Sequence, residues 1–531
     1  MSAGEIAGAS RGPADSLAAA RAKLLRLRLH ERGLSSAPDV GTIRPRESGG
    51  PAPLSVNQEG IWFIHSLDPD KPTYNIPGVV RIAGRLDAEA LEAALDRIVT
   101  RHESLRTVFT LSDEGTPLQV VSPPVPFHLP VADLSGLPPE EREAEVVRRA
   151  REDAARPFDL SRGPLFTAHL LKLSSTEHAL VLKVHHLVID GWSWGILLRE
   201  LRVLYRGFVR SEPVTLPALE IQYADYAAWQ REWLTGDTYG ELVSYWTRRL
   251  SGLRPLELPT DRPRPPVQSV EGRHEPLCIP GPVSERLRRF AQAEGHTLFV
   301  VLLAAFKVLL FELSKQEDIV VGATFANRDR RELEALVGYF VTLLPLRTRV
   351  TADLDVRQLL EAVSESTTGA ISHQSLPLTR LVNELGLRRD PSRSPLFQVV
   401  FYLLTPDHNP AVFGFGLPGT EEAVEMEGVR LTPIETECGL SRFDLMFLLW
   451  DTPQDLRGTV EYRTDLFDRS TIAAAIEAFQ VVLELIVRSP DATVGRVVTD
   501  LEEEVQRRRA ENARVSRRRM QESLVRMRGG S

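Results

Sequence analysis

Between residues 180 and 205 the chain changes its hydrophobic period. Residues 180–184 are apolar apart from Lys183, as in a short buried strand, whereas Trp194, Leu197, Leu198, Leu201, Leu204 and Tyr205 recur at helical spacing. A strand therefore runs into a helix across His185 to Gly191. Elsewhere residues 79–82 predict a strand, Leu91, Leu95, Ile98 and Val99 a helix, and residues 105–109 another strand. Residues 298–313 predict a buried helix, since Lys307 and Glu312 interrupt the run and it is short for a bilayer span. A strand over 319–324 follows, and helix-then-strand order in both halves hints at an internal duplication.

Two stretches frame this pattern. Residues 15–33 predict a short amphipathic helix with a basic face, begun by Asp15 or Ser16 and stopped at Gly33, before a Ser/Pro/Gly-rich linker. Residues 491–531 are charged, locally basic and helical in pattern. A Pro-rich stretch at 256–269 separates the two patterned regions, so the expected division is 1–50, 51–250, 251–490 and 491–531.

Composition narrows the class. With 531 residues, 43% of them hydrophobic and 26% charged, the chain reads as globular, and a net charge of -8 argues against a whole-protein nucleic-acid binder. Two cysteines, Cys278 and Cys438, make neither a disulfide framework nor a zinc site, and the first residues show no signal-peptide pattern. The expected compartment is the cytoplasm, with no membrane and no nucleic acid among the partners.

The chemistry concentrates where the strand ends. Two histidines and a carboxylate are costly there unless each is paired, so His185, His186 and Asp190 are candidates for function. A neutral imidazole can act as general base, and neighbouring strand residues face opposite ways, so only one histidine can face a given cleft. Asp190 could pair with a histidine or brace the loop. Gly191-Trp192-Ser193-Trp194-Gly195 also spells GxSxG at a strand-to-helix junction, which keeps a serine hydrolase open, although no oxyanion-hole string accompanies it. A metal site is disfavoured because no second ligand cluster exists.

HHLVIDGWS, with His185, His186, Asp190 and Gly191, resembles the HHxxxDG motif of nonribosomal peptide synthetase condensation domains, relatives of chloramphenicol acetyltransferase. RHESLRTVF at 101–109 resembles their second motif in full, and Arg101, His102, Glu103 and Arg106 read as a scaffold network. The first motif carries Gly60 where an Arg is usual, the fifth has Asn327 and Thr342 for Gly and Asn, and the sixth departs at Ser375, Leu378 and Thr379. IQYADYAAW and RRDPSRSPLFQVVF resemble the fourth and seventh, so the resemblance covers about 54–490.

The resemblance implies an α/β fold of two chloramphenicol acetyltransferase-like lobes in a V-shaped pseudo-dimer with a central tunnel. It implies that His186 is catalytic, that His185, Asp190, Gly191 and Arg328 are structural, with Asp190 paired to Arg328, and that Trp192 and Ser193 are substrate-channel candidates. The implied activity is transfer of a carrier-bound acyl or peptidyl thioester to an amine. Ester formation, a non-catalytic docking module and the hydrolase remain as alternatives. No intrinsic cofactor or metal is expected. Phosphopantetheine would arrive on partner carrier proteins or synthetase subunits, docked through the N-terminal helix and the C-terminal tail, and an amine or alcohol would be the acceptor.

Overall fold

A computed structural model describes residues 42–47, 49–387, 390–405, 423–434 and 439–508. The N-terminal helix expected at 15–33, Cys438 and the tail beyond 508 lie outside the described residues.

The first half opens with β1 (Ala52–Pro53), α1 (Val56–Leu67), β2 (Asn75–Gly84), α2 (Ala88–Arg101), β3 (Thr107–Leu111) and β4 (Pro117–Val121). There follow β5 (Val131–Asp133), α3 (Pro139–Ala155), β6 (Phe166–Lys172), β7 (Glu177–His185), α4 (Gly191–Arg210), α5 (Tyr223–Trp233) and α6 (Gly236–Leu250). The second half begins with β8 (Gly272–Ile279), α7 (Gly281–Ala293), α8 (Leu298–Ser314), β9 (Asp318–Phe325), β10 (Thr342–Arg349), α9 (Val356–Ser372) and α10 (Leu378–Glu384). It ends with β11 (Val399–Leu404), β12 (Val424–Met426), β13 (Val429–Pro433), β14 (Leu445–Asp451), β15 (Leu456–Arg463), α11 (Arg469–Arg488) and a helix over 494–508.

Two six-stranded sheets organise the chain, ordered β12-β13-β2-β7-β6-β5 and β10-β9-β11-β14-β15-β8. In the second, Phe401 and Phe447 face Phe306 of α8 and Phe479 of α11, so one face of that sheet is packed under helices. Because α8 is apolar on nearly every side, residues 300–310 are all buried, and even Lys307 is enclosed, donating to the Leu346 carbonyl at 2.7 Å and Thr348 Oγ1 at 2.8 Å. Among the described helices α11 is long and apolar enough to cross a membrane, yet Phe479, Val482 and Ile486 are buried in this core.

The contiguous division at 250 and 490 does not hold. Strand β13 pairs antiparallel with β2, and Met426, Val429 and Leu431 join the first core, so residues 424–433 complete the first lobe. Helix α6, expected in that lobe, instead buries Leu242, Trp246 and Leu250 in the second core. The helix over 494–508 adds Val494, Val497 and Leu501 to the same core, so packing continues past 490. In each case an apolar stripe finds its partner far away in sequence, which local pattern does not reveal.

Two departures from the family motifs touch each other. A Cβ on Gly60 of α1 would stand 2.5 Å from Thr379 Cγ2 of α10, so the missing side chain makes room for the threonine methyl. Asn327 takes φ 51°, the left-handed region that glycine occupies most easily and asparagine tolerates.

Candidate active site

Asp190 is the N-cap of α4, in extended conformation, and its Oδ1 accepts from the Ser193 N–H at 2.9 Å. The same carboxylate reaches across the lobes. Arg328 Nη2 donates to Oδ1 at 3.1 Å and Oδ2 at 3.2 Å, and the Phe340 N–H donates to Oδ2 at 3.1 Å. Both side chains of the pair are 1% exposed. Arg328 also donates to the carbonyls of Leu333 and Leu336, and its guanidinium lies 4.1 Å from the Phe340 ring centroid. Removing either partner alone would strand a buried charge, a cost of about 3–5 kcal/mol.

His185 closes β7 and is 1% exposed. Its Nδ1 accepts from the Leu187 N–H at 3.2 Å, and its ring meets His65 and Phe158 edge-on at 5.4 Å and 6.1 Å. Burial, then the neighbouring His65, His186 and Arg442, push its pKa down to about 3. A neutral, spacer-like histidine results.

His186 sits in the turn that follows and keeps partial exposure. Its Nδ1 lies 2.8 Å from the Ile189 carbonyl, which can only accept, so the proton is on Nδ1 and the Nε2 lone pair is left outward. Among the described residues no hydrogen bond reaches Nε2. Tyr339, from the second half of the chain, packs edge-on to the ring at 4.9 Å. Burial, then the Arg442 cation, lower the His186 pKa to about 4, against the opposing pull of the Ile189 carbonyl and Asp190.

Ser193 is a correction. Expected along the channel, it is 0% exposed, because it sits behind the cap rather than in front of it. Its hydroxyl donates to Asp190 Oδ1 at 2.6 Å and accepts from Arg328 Nη2 at 3.0 Å and the Gly338 N–H at 3.2 Å. No lone pair or proton remains for nucleophilic attack, which removes the hydrolase reading. Trp192 is half-buried, with Nε1 donating to the Glu334 carbonyl at 3.1 Å. Gly191 has no left-handed φ, so conformational freedom does not explain it. A Cβ there would stand 3.6 Å from the Tyr402 hydroxyl.

Of the second-motif residues, Glu103 accepts from Arg106 Nη2 at 3.3 Å, while Arg101 and His102 meet an anchor that the sequence did not reveal. Glu200 of α4 accepts from Arg101 Nε at 3.0 Å and from His102 Nε2 at 2.8 Å, tying α2 to α4. Sequence reasoning also missed Tyr339 and Arg442, whose guanidinium lies 5.3 Å from the Tyr74 ring. No group of three or more His, Cys, Asp or Glu side chains among the described residues is placed to hold a metal ion.

The family model described as "Condensation domain" matches residues 49–507. The chain belongs to the condensation-domain family. It is 43% identical over 448 residues to a component of the linear gramicidin synthase of Brevibacillus parabrevis, a match that covers 84% of this chain and 8% of that protein. Phosphinothricin tripeptide synthetase PhsC of Streptomyces viridochromogenes is 36% identical over 481 residues, 90% of this chain and 43% of that one. This condensation domain therefore spans less than half the length of either synthetase. Among solved structures, the X-domain from teicoplanin biosynthesis aligns with TM-score 0.74 and 26% identity, over 86% of this chain and 99% of that one. The first condensation domain of the calcium-dependent antibiotic synthetase, bound to a substrate analogue, aligns with TM-score 0.69 and 25% identity, over 84% and 98%. The two-lobed, chloramphenicol acetyltransferase-like α/β architecture is thus that of the condensation domains.

Proposed function

We propose that this condensation domain transfers an acyl or peptidyl group from a carrier-bound phosphopantetheinyl thioester to an amine, forming an amide, with His186 Nε2 as proton acceptor. The observation that carries the reading is the fixed tautomer of His186, whose acceptor nitrogen is unpartnered among the described residues between two lobes. The amine nitrogen bonds to the thioester carbon as the carbonyl π pair moves to oxygen. The N–H proton passes to Nε2, the oxygen pair returns, the C–S bond breaks, and the departing thiolate takes the proton.

His185, Asp190 and Arg328 then act by holding the loop that carries His186. Carrier domains of neighbouring synthetase modules would supply the donor, and they would hold the phosphopantetheine. The lowered pKa of His186 keeps its imidazole uncharged before the acceptor adds, so Nε2 is available to take the N–H proton.

Single-turnover mass spectrometry tests this, with aminoacyl thioesters of N-acetylcysteamine offered to amines, alcohols and water. Amide formation should fall about 10²- to 10⁴-fold in His186→Ala and persist in Ser193→Ala. An undiminished rate in His186→Ala would remove the imidazole from the mechanism.

A further inference from the structure

Strand β11 reads Val-Val-Phe-Tyr-Leu-Leu, and its alternation decides which residue meets the other lobe. Phe401 is 0% exposed and faces the helix layer, its ring 5.4 Å from Phe306 and 6.5 Å from Phe479. The next residue must point to the opposite face of the sheet. Tyr402, paired in register with Leu448, therefore faces the first lobe and is only half-buried.

What it meets there is the start of α4. The Tyr402 hydroxyl lies 3.6 Å from the position a Cβ on Gly191 would take, and it makes no hydrogen bond among the described residues. Gly191 is itself partly exposed and lies five residues after His186, whose Nδ1 is tied to Ile189 in the same loop. An unpartnered phenol from the second lobe thus lies beside a residue without a side chain, at the head of the helix that follows the His186 loop. Burial, then the Asp190 carboxylate close by, raise the phenol's pKa above its ordinary value. Tyr402 is consequently a neutral hydrogen-bond donor throughout the working pH range.

We propose that Tyr402 is a catalytic residue whose hydroxyl donates a hydrogen bond to the thioester carbonyl oxygen as the amine adds. The proposal rests on the condensation reading above. As the N–C bond forms, the π pair moves onto that oxygen and the developing charge is held by the phenol, which keeps its own proton. When the pair returns, the C–S bond breaks and the hydrogen bond relaxes. Gly191 acquires a reason as well. A methyl there would make ordinary contact with the phenol rather than clash, and in this role it would crowd the carbonyl oxygen that the hydroxyl meets.

The test compares the full chain with Tyr402→Phe and His186→Ala, using alanyl and octanoyl N-acetylcysteamine thioesters with a panel of free amines. Loss of one donor to a developing oxyanion should lower kcat about 10²-fold with KM and melting temperature nearly unchanged. Replacing Tyr402 by a fluorotyrosine gives a readout that a packing role would not move. Because an ionised phenol cannot donate, the rate should gain a basic limb that moves to lower pH as successive fluorines acidify the phenol, each limb lying above the free fluorophenol's value by the rise that burial and Asp190 impose on this position. A wild-type kcat in Tyr402→Phe, or a fluorotyrosine enzyme with no such limb, overturns the role while the His186 dependence still stands. If the unmodified chain forms no amide from any pairing, the condensation reading itself fails and takes this role with it.

Discussion

Burial fixes the charge of the two histidines before any substrate arrives, and it does so at a measurable cost in acid. His185 has an ordinary value near 6.5 once unfolded and is held to about 3 when folded, so between those limits the unfolded chain binds the extra proton. The stabilisation is complete above about pH 6.5 and is lost as pH falls toward 3, with a slope of about 1.4 kcal/mol per pH unit for this one group. Urea unfolding from pH 7 to 4 should show that slope reduced in His185→Gln, and identical slopes would place the acid sensitivity elsewhere. At this scale the sequence is legible where chemistry departs from burial rules. His185, His186 and Asp190 stand out because polar groups at a strand end need partners. Arg328 is visible only through the family resemblance, and Glu200 and Tyr402 are hidden because a lone polar group within an apolar pattern looks like solvent-facing decoration. Ser193 shows the opposite error, since a motif of the right letters sits with its hydroxyl turned into the protein.

At the scale of elements, the contact between α1 and α10 turns two motif departures into one packing solution. Gly60 in a helix interior costs about 1 kcal/mol relative to Ala, yet Ala here would drive its methyl against Thr379 Cγ2. Gly60→Ala should therefore destabilise by about 1–2 kcal/mol despite better helix propensity. In Thr379→Ser, which lacks that methyl, the same change should be neutral or stabilising. Denaturant midpoints of the four-variant cycle check the coupling, and additive effects would dissolve it. Most elements are legible in the hydrophobic period: β7, α4, α8 and β9 fall where the pattern puts them, within a few residues. Strands β12 and β13 are not, being short and set by a neighbour far away in sequence.

For the molecule as a whole, the two lobes are halves of a single folding problem. Strand β2 receives β13 along five residue pairs, from Gly84 with Val429 to Val80 with Pro433. Expressed alone, residues 49–255 should leave that edge of β2 unpaired and Val80 and Ile82 short of their cover, so the fragment should sediment as oligomers or aggregate. A monodisperse monomer in analytical ultracentrifugation would show that β12 and β13 are dispensable. The division of the chain into contiguous lobes fails for the same reason, because sequence order locates an apolar stripe without naming its cover.

The same strand pairing sets a clock on the ribosome. At about 5–20 residues per second, β2 emerges roughly a quarter of a minute to a minute before β13 is made. Throughout that interval the nascent first sheet has an open edge that no amount of local folding can close. The catalytic loop is on the same schedule, since Asp190 precedes Arg328 by 138 residues. Codon usage and chaperone occupancy between these segments therefore bear on how much active protein a cell obtains from each message.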